Sequence, residues 1–205
     1  MIDQIKILTR SEIASVLSDL DRKKRSINTR QNSIIFRLSV CCGLRVSEIV
    51  GLSLANVKIE GKRPHVHVPA AISKRHKARK VALWWDGATL SAFREWRADR
   101  MLQDADSKAP FVCSQSRGTQ GKSLSVRNAQ ARWKATIKVL GSERRGVLSI
   151  HCGRHSFCSH ALAGGRTLPE VRDAAGHANV STTSIYLHVV RDDDEQVGSL
   201  FAFAS

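Results

Sequence analysis

Helical periodicity dominates this chain, and one stretch of alternating residues interrupts it. Apolar residues recur at helical spacing in segments such as Ile34 to Cys42, whereas from Val57 to Leu83 short alternations such as Val66-His67-Val68 appear. Spacings of three and four residues indicate a helix with one buried face, and a spacing of two indicates a half-buried strand. We therefore predict an α+β fold, mainly α with a small antiparallel β-sheet.

Local signals place the ends of several helices. Thr9-Arg10-Ser11-Glu12 has the form of a capping box and predicts a helix through Leu20. The basic stretch from Arg22 to Arg30 predicts a solvated connection. Between the predicted strands, the charged segment Lys74 to Lys80 is typical of a hairpin turn. Further helices are predicted near Ile34 to Gly43, Ser47 to Leu52, Asp86 to Met101 and Ser125 to Leu140, with shorter pieces between Ile150 and His188.

Length and charge restrict the organisation and the partner. The chain has 205 residues, enough for one full domain, so we expect a single domain over residues 1–205, with terminal segments at 1–8 and 190–205. Thirty-three Lys and Arg face eighteen Asp and Glu, which gives a net charge of +15. This excess favours a polyanionic partner, above all nucleic acid, but it carries no information about catalysis.

The cysteines and the termini indicate a reducing, intracellular setting. The five cysteines form no C-x-x-C pair, and their odd number argues for reduced core thiols rather than a disulfide framework. No secretion signal opens the chain and no run of eighteen apolar residues occurs, so we expect a soluble cytoplasmic protein. A zinc site built from Cys152, His155, Cys158 and His160 is disfavoured, because these residues lack finger spacing and their helix carries the H-x-x-R residues.

The most informative residues lie in short boxes that follow one another along the chain. His151-Cys152-Gly153-Arg154 would place an imidazole and a guanidinium on one helix face, but a His and an Arg at this spacing are common. Each of the other boxes could also occur by chance, and only their occurrence together with this one indicates a function. They are Gly43-Leu44-Arg45-Val46-Ser47-Glu48-Ile49, the hairpin with Lys74, Gly176-His177-Ala178-Asn179, Ser181-Thr182-Thr183 and Tyr186-Leu187-His188-Val189.

With these boxes in this order, the sequence resembles the tyrosine recombinases and phage integrases from about Leu8 to Val189. That family carries an Arg in a Gly-Leu-Arg-x-x-Glu context, a hairpin Lys, H-x-x-R, a His or Trp after Gly, and a nucleophilic Tyr. The resemblance implies the family's catalytic-domain fold, mainly helical with a three-stranded sheet. The chain departs from the pattern at Gly153, where Leu is common, and at Ser73, Arg75 and His76, where the family has a Gly-rich turn.

The resemblance also implies a reaction on DNA. The two arginines, Arg45 and Arg154, would clamp the scissile phosphate, because guanidinium stays charged and matches phosphate geometry. His177 would add a hydrogen bond, and Tyr186 would attack phosphorus to form a covalent 3′-phosphotyrosine. No metal or other cofactor is expected, since the Arg and His cluster supplies the positive charge.

Two proton transfers complete the expected reaction. A phenol is mostly protonated at neutral pH, and His151 is the expected base that removes this proton. Lys74 would protonate the departing 5′ oxygen. Lys77 and Lys80 remain alternatives for this acid, and all three lysines have the plainer interpretation of solvated phosphate contacts.

Several other residues have a purely structural interpretation. Arg45 could instead be a buried ion-pair partner of Glu48, and Tyr186 could be an ordinary core side chain. His155 and His188 either support the pocket or are ordinary buried histidines. The remaining histidines are interpreted as structural: His65, His67 and His160.

The expected partner is double-stranded DNA, on which the protein would assemble with itself, typically as a tetramer, although a free monomer is plausible. Because the catalytic boxes begin within fifty residues of Met1, we expect this sequence to lack the family's N-terminal core-binding domain, either as a natural minimal recombinase or as a truncated form. The apolar tail from Leu200 to Ala204 either covers this domain's core or docks on a neighbouring protomer. A type IB topoisomerase and a non-catalytic DNA-binding relative remain alternative functions.

Overall fold

The structure, a computed structural model, describes residues 4–103 and 106–187. The predicted helical pattern is confirmed, and α6 is a helix that the sequence analysis did not find. The α-helices are Arg10–Arg22 (α1), Ile27–Val40 (α2), Val46–Gly51 (α3), Gly87–Met101 (α4), Val126–Thr136 (α5), Ser142–Val147 (α6), Ile150–Ala163 (α7), Leu168–Ala175 (α8) and Ser181–Ser184 (α9). The strands are Val57–Lys58 (β1), His65–Val68 (β2) and Arg79–Ala82 (β3).

The predicted start of α1 is confirmed in detail. Thr9 Oγ1 accepts a hydrogen bond from the Glu12 amide at 3.1 Å, and the Glu12 carboxylate accepts one from the Thr9 amide at 2.9 Å. The predicted connection after α1 is too long, because α2 already begins at Ile27. Arg30 therefore lies in α2, where its guanidinium pairs with Asp99 of α4 at 2.6 Å. A basic residue can occupy the outer face of a helix as readily as a loop.

The three strands form one antiparallel sheet in the order β1-β2-β3. Val66 of β2 lies opposite both Val57 of β1 and Val81 of β3, so that buried valines share one face. This confirms the sheet predicted from the alternating residues. Because β3 begins at Arg79, the charged turn before it is shorter than the predicted hairpin.

Helix α2 forms the centre of the core and packs against α1, α4, α5 and α7. Its segment 34–40 is entirely buried. Ser39 of this helix accepts a hydrogen bond from Trp133 Nε1 of α5 at 2.7 Å and donates one to the Phe36 carbonyl at 2.8 Å. On α7, Gly153 faces Ser39, and an added Cβ would lie 2.7 Å from the Ser39 hydroxyl. The missing side chain at Gly153 therefore permits the close approach of α7 to α2.

The five cysteines are free and buried, as predicted. Among residues 4–103 and 106–187, no helix is long and apolar enough to cross a membrane. The same residues contain no cluster of His, Cys, Asp or Glu arranged to hold a metal ion. The predictions for His188 and for the tail at 190–205 lie outside the described residues.

Candidate active site

Two arginines converge on the buried carboxylate of Glu48. Arg45 precedes α3 and donates from Nη1 to Glu48 Oε1 at 3.2 Å, while its own amide donates to Oε2 at 2.8 Å. Arg79, at the start of β3, donates to both oxygens at 2.8 and 2.7 Å. Burial raises the pKa of Glu48, but Arg79 and Arg45 outweigh this effect and the pKa lies below its ordinary value. Glu48 is therefore an anion that fixes both guanidiniums.

The same two arginines also reach the end of α8. Arg79 Nε donates to the Ala174 carbonyl at 2.8 Å, and Arg45 Nη2 makes a long hydrogen bond of 3.4 Å to the Gly176 carbonyl. Gly176 ends α8 with φ +68°, a conformation that glycine adopts without strain. This turn directs the chain into His177. The arginines thus join α3, β3 and α8 around one point.

Arg154 of α7 supplies a third guanidinium. Its Nη1 donates to the Gly43 carbonyl at 2.7 Å, and its side chain is buried. Within the described part of the chain, its Nη2 has no hydrogen-bond partner. Burial lowers the pKa of Arg154 to about 10, and the neighbouring charges of Arg45 and Arg79 act in the same direction. The group remains cationic at neutral pH and keeps one donor free for an anion.

His177 lies beside this cationic cluster and is held by α9. Its Nδ1 is 2.9 Å from the Thr183 hydroxyl. Burial, followed by the charges of Arg154, Arg45 and Arg79, lowers the pKa of His177 from 6.5 to about 3. His177 is therefore neutral at physiological pH and can offer a hydrogen bond without adding charge.

Tyr186, just after α9, is 3% exposed and packs as part of the core. Its hydroxyl lies 2.7 Å from Nδ1 of His155, and its ring stacks beside that of His177 at 6.2 Å. Burial, with Cys158 as the next contribution, raises the pKa of Tyr186 above its ordinary value of 10.0, against the opposing charge of Arg154. The phenol is thus protonated at neutral pH and lies close to the arginine cluster.

The other two predicted residues are exposed. His151 lies in the first turn of α7, and Lys74 lies in the turn before β3. A cavity of about 800 Å³ opens beside this turn and the end of α8. Its lining includes four cationic side chains, together with Gly176 and His177 from the other wall. These cationic side chains are Arg75, Lys77, Arg79 and Lys80.

Taken together, the predicted residues divide into one cluster of four residues and the two exposed residues, His151 and Lys74. Arg45, Arg154, His177 and Tyr186 lie in one cluster, linked through the stacking of His177 on Tyr186 and through mutual charge effects. The structural interpretations of Arg45 and Tyr186 also apply, because Arg45 does pair with Glu48 and Tyr186 is buried.

Four further residues of this cluster make contacts that sequence reasoning did not predict in full, although it had interpreted Glu48 as an ion-pair partner of Arg45 and His155 as either a support of the pocket or an ordinary buried histidine. Arg79 and Glu48 stood inside recognised boxes, but only the fold brings them together. The sequence offered no signal that the tyrosine hydroxyl would contact His155. The fourth residue is Thr183, which contacts His177.

Comparison with known proteins agrees with this arrangement. The Phage integrase family matches residues 6–192. The chain belongs to this family. It is 31% identical over 159 residues to tyrosine recombinase XerC of Corynebacterium glutamicum, covering 78% of this chain and 47% of that protein. With XerC of Vibrio cholerae serotype O1 it shares 31% identity over 185 residues, covering 90% of this chain and 54% of the relative.

Solved structures share the family fold. XerA recombinase superposes with a TM-score of 0.71 at 19% identity, covering 91% of this chain and 59% of that one. XerH site-specific recombinase, bound to a palindromic difH substrate in a post-cleavage complex, gives a TM-score of 0.68 at 24% identity, with coverages of 89% and 49%. The chain spans about half the length of the curated relatives it matches.

Proposed function

We propose that this protein is a site-specific DNA recombinase that cleaves and rejoins strands through a covalent 3′-phosphotyrosine at Tyr186. The observation that carries the proposal is the buried guanidinium of Arg154, whose Nη2 lacks a partner within the described residues and whose charge acts on Tyr186. A buried donor without an acceptor costs free energy unless a ligand supplies the acceptor. A phosphodiester bound beside Tyr186 would supply this acceptor to Arg154 Nη2.

The cluster is suited to an anion whose charge grows during reaction. Arg45, Arg79 and Arg154 bring three positive charges together, and Glu48 neutralises only one of them. As tyrosine oxygen approaches phosphorus, negative charge accumulates on the non-bridging oxygens. Guanidiniums fixed in advance stabilise that charge without reorganising, which is the main source of catalysis in such sites. Arg45 and Arg154 would contact the phosphate, while Arg79 would hold Glu48.

The remaining polar groups would serve the same phosphate and its leaving group. His177, neutral and oriented by Thr183, would donate a hydrogen bond to a non-bridging oxygen. The sequence assigns removal of the Tyr186 proton to His151, which is exposed in the first turn of α7. Lys74 would protonate the 5′ oxygen as the P–O5′ bond breaks, and Lys77 and Lys80 are its alternatives in the same basic segment.

DNA would enter along the cavity beside the charged turn. The cationic side chains that line it would contact the backbone phosphates, which supply most of the affinity of such proteins. Strand exchange joins two sites, so we propose that the protein assembles with itself on double-stranded DNA, typically as a tetramer. With DNA as its substrate, the enzyme would act in the cytoplasm.

The relatives support this proposal. Curated proteins about 31% identical to the chain carry the name tyrosine recombinase XerC, and XerH was crystallised with its difH substrate.

The test is trapping on a nicked suicide substrate. DNA duplexes with candidate sites, nicked so that the cleaved end diffuses away, would be incubated with the protein and with Tyr186→Phe. We expect a covalent adduct that resists denaturation for the native protein and none for the variant. An adduct with the Tyr186→Phe variant would overturn the assignment of the nucleophile.

A second assay separates recombination from topoisomerase activity. Supercoiled plasmid without a recognised site would be relaxed by a type IB topoisomerase, whereas the proposed recombinase would leave it supercoiled. Relaxation at the same rate with and without a site would favour the topoisomerase. DNA binding without any adduct would favour a non-catalytic relative.

A further inference from the structure

The contact between His155 and Tyr186 is not used by the reaction as described so far. His155 Nδ1 lies 2.7 Å from the Tyr186 hydroxyl oxygen, and the two ring centres are 5.8 Å apart. The two residues come from α7 and from the segment after α9. A base must lie within about 2.6–3.2 Å of the atom whose proton it removes. His155 meets that requirement.

The direction of this hydrogen bond follows from its surroundings. Burial lowers the pKa of His155, and the charges of Arg154, His151 and Lys6 lower it further. The imidazole is therefore neutral at physiological pH, while the pKa of Tyr186 is raised and its hydroxyl is protonated. The tyrosine donates and His155 Nδ1 accepts, so the imidazole proton resides on Nε2.

The other two histidines of the site are less well placed for this proton. His177 has its Nδ1 engaged with Thr183, and its ring lies parallel to the Tyr186 ring, with an angle of 6° between the planes. His151 is exposed one turn before His155 on α7. Within the described residues, no hydrogen bond joins His151 to Tyr186.

We propose that His155 is a further catalytic residue that takes the Tyr186 proton during strand cleavage, in place of His151; the inference rests on the proposed function. The Tyr186 oxygen bonds to phosphorus, its proton passes to His155 Nδ1, the P–O5′ bond breaks and O5′ takes a proton from Lys74. Rejoining runs the same transfers backwards. Atoms and charge balance, because His155 gains the proton that Lys74 loses.

The charges around His155 explain why it would hold this proton only transiently. Four charged or titratable groups act electrostatically on His155. They are Arg154 and His151 on its own helix, Lys6 from the N-terminal segment and His177 across the site. A protonated His155 is disfavoured by these groups in the free protein. The phosphate bound between Arg45 and Arg154 would offset that repulsion during the reaction.

The first experiment is the pH dependence of single-turnover cleavage on the suicide substrate. Native protein should show a rate that falls tenfold per pH unit on the acid side, below the pKa of the base. His155→Asn keeps an acceptor oxygen near the Nδ1 position but cannot take the proton, so it should lose that acid limb and cleave about 10²–10⁴-fold more slowly. His151→Gln, on the same helix, should keep the acid limb.

The outcomes separate the two proposals. If native protein forms no adduct at any pH, the proposed function fails. If it forms adducts and His155→Asn retains the acid limb, or if only His151→Gln loses it, the role of His155 is wrong. A substrate with sulfur at the 5′ bridging position needs no acid for its leaving group, so it should rescue Lys74→Ala but not His155→Asn. Rescue of His155→Asn would also overturn the proposal.

A measurement without DNA guards against a variant that fails to fold. Tyr186 is the only tyrosine in the chain, so biosynthetic incorporation of 3-fluorotyrosine labels this site alone. The single ¹⁹F resonance should shift as His155 titrates below pH 6.5 in otherwise native protein and in His151→Gln, and should not shift in His155→Asn. A ¹⁹F resonance that does not respond to acid in the native background would contradict the contact on which the inference rests.

Discussion

The Arg79 guanidinium binds both oxygens of the Glu48 carboxylate, at 2.8 and 2.7 Å. Both side chains are buried, with 8% and 0% of their surfaces exposed. A buried ion pair stabilises a fold only when its hydrogen bonds are complete, and here Arg45 and the Ala174 carbonyl complete them. The pair therefore holds β3, α3 and α8 together and sets the position of Arg45.

Glu48→Gln should destabilise the protein strongly, because it leaves the buried guanidinium of Arg79 and the partly buried guanidinium of Arg45 without their anion. We expect the free energy of unfolding to fall by about 3–5 kcal/mol, as for other buried pairs that lose one partner. Urea denaturation measures it. The control is Asp19→Asn, which breaks exposed pairs with Arg22 and Lys23 and should cost less than about 1 kcal/mol. Equal losses in the two variants would contradict the importance of the buried pair.

Arg154→Lys should impair catalysis more than folding. Lysine keeps a charge but loses the planar fork that bonds the Gly43 carbonyl and leaves Nη2 for the phosphate. Loss of one fixed donor to the transition state typically reduces the rate by about 10²–10³-fold. Single-turnover cleavage would be compared with Arg127→Lys, an exposed residue of α5, which should cleave at the native rate. A native rate for Arg154→Lys would remove it from the phosphate clamp.

Much of this site was predictable because its chemistry lies in short ordered boxes. Arg45, His177 and Tyr186 were identified from neighbours along the chain, and the fold brings them together as expected. Helix α2 was predicted less well at its start. Charged residues occupy both loops and outer helix faces, so composition did not distinguish the connection after α1 from the first turns of α2.

The contacts that sequence reasoning missed depend on tertiary geometry. Arg79 and Glu48 are 31 residues apart, and nothing local indicates that β3 would meet α3. His151 and His155 are one helical turn apart and share a face of α7, so their spacing does not decide which one meets the tyrosine. That choice depends on where the chain returns after α9, which is a property of packing rather than of any motif.

His177→Asn should make stability less sensitive to acid. Burial and the neighbouring arginines lower the pKa of His177 to about 3, so the folded state stays unprotonated there while the unfolded chain binds a proton below its ordinary 6.5. Stability is therefore lost as the pH falls from about 6.5 towards 3, at up to about 1.4 kcal/mol per pH unit. Asparagine retains a polar atom near Thr183 but does not titrate.

Urea denaturation at pH 6.5 and pH 5 checks this expectation for His177. Between pH 6.5 and pH 5, the free energy of unfolding of the native protein should fall by about 1.5 kcal/mol more than that of His177→Asn. Parallel losses would mean that His177 takes up a proton in the folded state as readily as in the unfolded chain.

Gly153→Leu, which restores the residue common in the family, should destabilise this protein. An added Cβ at Gly153 would lie 2.7 Å from the Ser39 hydroxyl and 3.1 Å from Val40 Cγ2, so α7 would have to move away from α2. Overpacking of this kind costs about 1–3 kcal/mol, more than the roughly 1 kcal/mol of helix propensity gained. Gly87→Ala, where the added Cβ meets nothing within 4 Å, should be neutral or stabilising.

A double-mutant cycle locates the clash that limits residue 153. Gly153→Ala adds a methyl group on α7, and Ser39→Gly removes the side chain that faces it on α2. The double variant should therefore be more stable than the sum of the two single losses of unfolding free energy predicts. Ser39→Gly alone loses the hydroxyl that accepts from Trp133 Nε1, and this cost enters both arms of the cycle. Strict additivity of the unfolding free energies would show that the two positions do not compete for the same space, and that the glycine has another cause.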